Sequence, residues 1–151
     1  MPQPAFRFQA LLQYREHLRD LCRQRLAELL AVDAELAHRK DTAVAARNEL
    51  LNELRALLTQ PRLEVDQAAT RRYHAGQLAA EAQRLQHQRD QLAGRIAECR
   101  QALVKADQGV KVLEQLADKQ RQAAEWEQDR RESREREEIW QAGRLRPFAG
   151  P

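Results

Sequence analysis

The sequence predicts an all-α protein, an antiparallel two-helix coiled-coil hairpin whose second helix is the longer. Three observations lead there. Of 151 residues, 32 % are charged and only 5 % aromatic, with mean hydropathy −0.80. That mixture, rich in Ala, Leu, Glu, Gln and Arg, suits long helices better than a compact core. The breakers sit in three places, with Pro2 and Pro4 before everything, Pro61 near the middle, and Pro147 and Pro151 at the end. Between them, apolar residues recur alternately every three and four positions, which is the seam of a left-handed coiled coil rather than the broader stripe of a globular helix.

The first helix is expected over about residues 5–58, a stretch without Gly or Pro. Its seam, stepped from Phe8, reads Leu11, Arg15, Leu18, Cys22, Arg25, Leu29, Val32, Leu36, Arg39, Ala43, Ala46, Leu50, Glu53 and Leu57. Pro61 disfavours helical backbone at Gln60, so a turn is expected over about 59–65. The second helix then runs over about 66–142, with Asp66 as N-cap and Gly143 as the stop. Its seam reads Ala68, Arg71, Ala75, Leu78, Ala82, Leu85, Arg89, Leu92, Ile96, Cys99, Leu103, Ala106, Val110, Leu113, Ala117, Gln120 and Ala124.

Folding at Pro61 sets residue i opposite a residue near 121 − i or 128 − i. In the first register Leu29 meets Leu92, Leu36 meets Leu85, Leu18 meets Leu103 and Cys22 meets Cys99. Arg15 then meets Ala106 and Arg39 meets Ala82, with the guanidinium stems lying over alanine. The shaft would be about 80 Å long at 1.5 Å per residue. A parallel homodimer is the competing geometry, disfavoured by the Pro61 turn, so a monomer in isolation is expected. The hairpin forms one domain over 5–142, and 143–151 are expected to be a flexible tail. Residues about 120–142 overhang the first helix and carry alternating charges without a seam, a pattern expected to fray when free.

Chemistry is sparse, and the chain reads as not an enzyme. Ser133 is the single serine and sits among charges. His17, His38, His74 and His87 share no ligand spacing, so no metal or cofactor is expected. Cys22 and Cys99 read as small seam residues. The net charge of +3 is spread along the chain without an arginine stripe or stacking aromatics, which argues against nucleic acid. No apolar run approaches a membrane span and no secretion signal is evident, so a cytoplasmic location is expected.

A few outward residues exceed what a shaft requires. Tyr73, Gln77, Ala80 and Arg84 share the surface opposite the seam, although Tyr73 also reads as an ordinary solvated tyrosine. Trp126 and Trp140, two heptads apart, share one face of the overhang, a composition typical of an interface anchor. The competing reading folds Trp126 back onto Phe6 or Phe8.

Phe6–Glu16, with its aromatics, apolar pair and Arg15-Glu16, resembles the start of the flagellar FliJ family. Arg72-Tyr73-His74 followed by Leu78 is similar to that family's tyrosine just after the turn, and Lys111–Lys119 to its late basic segment. The charged tail departs from the family's Asp-Glu ending by offering Glu137-Glu138. The resemblance spans essentially the whole chain and implies a stalk-like, chaperone-escorting component of the flagellar type III export apparatus. It implies three partners: the export ATPase ring, the membrane export gate and export chaperones. It places the chain at the inner face of the cell membrane through those partners alone. Arg7, Arg19, Arg23, Lys111 and Lys119 would face the ring. Tyr73, Gln77, Ala80 and Arg84 would face the gate, with Gln77 standing where the family prefers an apolar residue. Trp126 and Trp140 would dock on the ATPase or a chaperone. The alternatives are a structural coiled-coil spacer and the equivalent stalk of a virulence secretion system.

Overall fold

A computed structural model describes residues 5–145. Among these there are two helices and no strand, α1 over Gln9–Leu58 and α2 over Val65–Arg144. They pack antiparallel, the second being the longer, as the pattern predicts. By contacts the chain divides into two units, residues 1–19 with 105–151 and residues 20–104.

The helix boundaries shift for local reasons. The first helix begins at Gln9 rather than near residue 5 because Phe6–Phe8 form a turn, in which the Gln9 amide donates to the Phe6 carbonyl at 3.1 Å. At the other end Thr59 Oγ1 donates to the Ala56 carbonyl at 2.8 Å, closing the last turn before Pro61. The second helix starts at Val65, with the Glu64 carbonyl accepting the first helical bond from Ala68. Asp66 therefore sits in the first turn, not at the cap, where its charge still suits the exposed amides. Gly143 does not stop the helix, which continues through Arg144. Of the tail expected at 143–151, residues 146–151 lie outside the described residues.

The α2 seam is the one its sequence predicts. All its members are buried or half-buried, with Leu85 and Val110 the most enclosed at 1 % exposure. The α1 seam needs a correction. The row Cys22, Leu29, Leu36, Ala43, Leu50 and Leu57 does face α2, but the alternate row lies one position later than predicted. Leu12, Leu26 and Leu54 turn inward in place of Leu11, Arg25 and Glu53, while Val32 stays 49 % exposed and Asp33 takes its place. In the same row Lys40 replaces Arg39 and half-buried Arg47 sits beside Ala46. The true row sets Arg19, Asp33, Lys40 and Arg47 among its leucines, so counting apolar residues selects its neighbour.

In the unit of residues 20–104, Leu29, Leu92 and Ile96 form the core, with Leu26, Leu36 and Cys99 packed around them. In the other unit Leu12, Val110 and Leu113 do so, with Phe6 against them. Gln120 joins the first turn to α2, donating to the Ala5 carbonyl and accepting from the Arg7 amide, both at 3.4 Å. The Arg15 side chain lies over Gly109, its Cδ 3.7 Å from where a β-carbon would stand.

Truncating Leu85 to alanine should cost about 2–5 kcal/mol in chemical denaturation, since a cavity opens in the seam. The corrected row predicts that Leu26→Ala is clearly destabilising. Val32→Ala should fall within about 0.5 kcal/mol of wild type, as expected for a surface site.

Candidate functional surface

Polar pairs occupy the centre of the seam in the unit of residues 20–104. Arg89 extends from α2 to α1 and forks onto Asp33, Nε donating to Oδ1 at 2.9 Å and an η nitrogen to Oδ2 at 3.3 Å. Both side chains are less than one-third exposed, so the pair is shielded more than an ordinary surface bridge. The hydrogen bond from Arg89 holds the Asp33 carboxyl below its usual range, outweighing the opposing effect of burial. The same bond raises Arg89. One turn along, Lys40 Nζ donates to Gln86 Oε1 at 2.7 Å, and Gln86 Nε2 donates to Asp90 at 2.8 Å. Nearer the turn Arg71 bonds Glu53 at 3.0 Å. Arg47 Nε is enclosed and has no partner among the described residues, while an η nitrogen of Arg47 reaches Asn48 at 3.3 Å. A shallow groove of about 320 Å³ runs beside the fork, lined by Leu30, Gln86, Asp90, Ala93, Ile96 and Arg100.

The residues singled out from sequence are exposed in most cases, but several are already engaged. Tyr73 is 64 % exposed, and Gln77 Nε2 donates to its hydroxyl at 2.7 Å. The His74 ring meets Tyr73 edge-on at 5.8 Å. Ala80 is exposed on the same stripe. Arg84 is held within its own helix, forking onto Glu81 at 2.7 and 3.0 Å. Glu81 is lowered chiefly by that bond, and Arg84 is raised by it. Arg39 also reaches Glu81 at 3.7 Å instead of lying over Ala82.

Of the basic set, Arg7, Arg19, Lys111 and Lys119 belong to the unit holding both chain ends, whereas Arg23 belongs to the other. The Arg7 guanidinium lies 5.7 Å from the Phe8 ring centroid. Arg19 is half-buried in the corrected seam row. Arg23 stands 3.9 Å from Asp20, Lys111 3.1 Å from Asp107, and Lys119 is exposed. Sequence reasoning missed Leu11 and Tyr14 on α1 and Val112 and Leu116 on α2, each more than 40 % exposed. They become visible as a surplus once the seam is placed correctly, because they are apolar and not on it.

Trp126 does not fold back. It is 62 % exposed beneath the Arg130 guanidinium at 4.7 Å, while Phe6 packs on the Leu12 cluster and meets Phe8 edge-on at 5.9 Å. Trp140 repeats the arrangement, 62 % exposed beneath Arg144 at 4.6 Å. The overhang is helical throughout, though every residue from 125 to 145 is exposed.

Among the described residues, no group of three or more His, Cys, Asp or Glu gathers as a metal site would require. No described helix is long and apolar enough to cross a membrane. No protein-family model, no curated protein and no solved structure matches this chain.

The Asp33 shift has a defined sign. Its folded pKa lies below the unfolded value of about 3.9, so its contribution is complete above that value. The contribution is lost as pH falls through the folded pKa. In thermal melts Asp33→Asn should be less stable than wild type near pH 6, and the difference should shrink steadily below about pH 4.

Proposed function

We propose that this chain is a stalk of a type III protein export apparatus of the flagellar kind. In this reading it engages and stimulates the export ATPase ring, contacts the export gate and escorts export chaperones. It works in the cytoplasm, held at the inner face of the membrane only through those partners. The observation that carries the reading is Tyr73. It is a large, 64 % exposed aromatic shortly after the turn, held in place by Gln77 on a helix whose outward residues are otherwise mostly polar. A shaft gains no stability from such a residue, whereas a docking contact does. Its position resembles that of the tyrosine just after the turn in the FliJ family, whose start the opening Phe6–Glu16 also resembles.

A division of labour follows. Gate contacts lie at Tyr73, Gln77 and Ala80, and Gln77 acts by orienting the tyrosine hydroxyl. Arg84, already paired with Glu81, adds little net charge there. Ring contacts lie at Arg7, Arg19, Lys111 and Lys119, in the unit that holds the chain ends. Arg23 acts as a separate contact.

The purified chain should raise the hydrolysis rate of the export ATPase. Tyr73→Ala should weaken binding to the gate's soluble domain by about tenfold, as loss of an aromatic anchor does, while leaving the stimulation intact. Equal loss of both activities would overturn the division, and no stimulation by the wild-type chain would leave a structural spacer as the better reading.

A further inference from the structure

We infer that the overhang is a self-association surface, on which the same segment of a second copy of this chain docks antiparallel. Trp126, Ser133 and Trp140 form a straight row along α2, one heptad apart. Asp129 and Arg136 flank it on one side, and Arg130 and Glu137 on the other. Trp126, Asp129, Arg130, Ser133 and Glu137 line one shallow groove of about 270 Å³, so the face has relief for side chains to enter. Both indoles are 62 % exposed, and every residue around them from 125 to 145 is exposed as well.

The charges identify the occupant. When an identical helix is laid antiparallel with Ser133 against Ser133, Trp126 comes level with the second copy's Trp140. Arg130 comes level with the second copy's Glu137, and Asp129 with the second copy's Arg136, each to within one residue, about 1.5 Å. Two-fold symmetry doubles each match, so four opposite-charge pairs surround four indoles, the self-complementarity an isologous interface requires. A parallel arrangement would instead set Arg130 against the second copy's Asp129 and Glu137 against its Arg136, so exchanging Arg130 with Glu137 keeps opposite charges facing only when the helices run antiparallel. Arg130 now covers its own tryptophan and is placed to turn toward a carboxylate across the interface. The segment is short for a permanent interface, so the association is a concentration-dependent one. The hairpin seam is satisfied within one chain, which is why the expectation of a monomer does not extend to the overhang. This inference does not depend on the export reading.

Sedimentation equilibrium of the full chain over a range of concentrations tests it, with circular dichroism as the check on folding. Wild type should show a monomer–dimer equilibrium. Arg130→Glu alone and Glu137→Arg alone should each weaken the dimer by about tenfold or more, because like charges then face each other. The two together should restore affinity to within about threefold of wild type, since opposite charges again face each other. Trp126→Ala with Trp140→Ala should leave a folded monomer. A wild-type monomer at every concentration, as expected if the face serves only another protein, would overturn the proposal. So would a dimer indifferent to the single swaps, or a double swap no better than either alone.

Discussion

The fork between Arg89 and Asp33 is the constraint on which the arrangement of residues 20–104 rests. A seam of leucine and alanine repeats every seven residues, and apolar contact alone is nearly as favourable after a slip of one heptad. The polar pair removes that freedom. A slip one way would set Arg89 against Lys40 and strand Asp33 beside Ile96. A slip the other way would set Arg89 against Leu26 and Asp33 against Ala82. Each leaves a partly buried charge unpaired or facing its like, the kind of penalty by which buried polar residues fix coiled-coil register. The Lys40–Gln86 and Glu53–Arg71 bonds agree with the same register.

The outward surface depends on this choice. With the seam fixed, Tyr73, Gln77 and Ala80 face away from α1, and in the other unit every described residue beyond 124 is exposed. Within that unit Gln120 reaches the turn that precedes α1. The overhang must therefore satisfy itself. It does so locally, with arginines four residues along covering each tryptophan. Such cation–π contacts shield one face of each indole and leave the other for a partner.

Much of this was legible in the sequence. The α2 seam could be read position by position, because its alternate rows are apolar nearly throughout and its three exceptions are long polar residues. The α1 seam was half legible. Its shared row from Cys22 to Leu57 stood out, but the second row passes through Asp33, Lys40 and Arg47, and polarity there signals pairing across the seam rather than exposure. That pairing is visible only when both helices are placed. The helix limits moved by one to four residues where backbone bonding outweighed composition, as at Phe6–Phe8 and at Gly143, which a continuing helix tolerates. At the candidate surface, exposure of Tyr73 and the tryptophans followed from heptad arithmetic. The engagement of Arg84 by Glu81 and of Tyr73 by Gln77 did not, since it depends on side-chain rotamers.

The central claim is an intrachain antiparallel seam in a single register, and its two cysteines report on it directly. Cys22 and Cys99 are both free and half-buried, and a register that places Leu29 with Leu92 brings them level one heptad farther along. Treatment of highly dilute protein with a short bifunctional thiol reagent should give a compact, internally crosslinked monomer in high yield. Crosslinking confined to covalent dimers, or none between these two thiols, would contradict the hairpin described here.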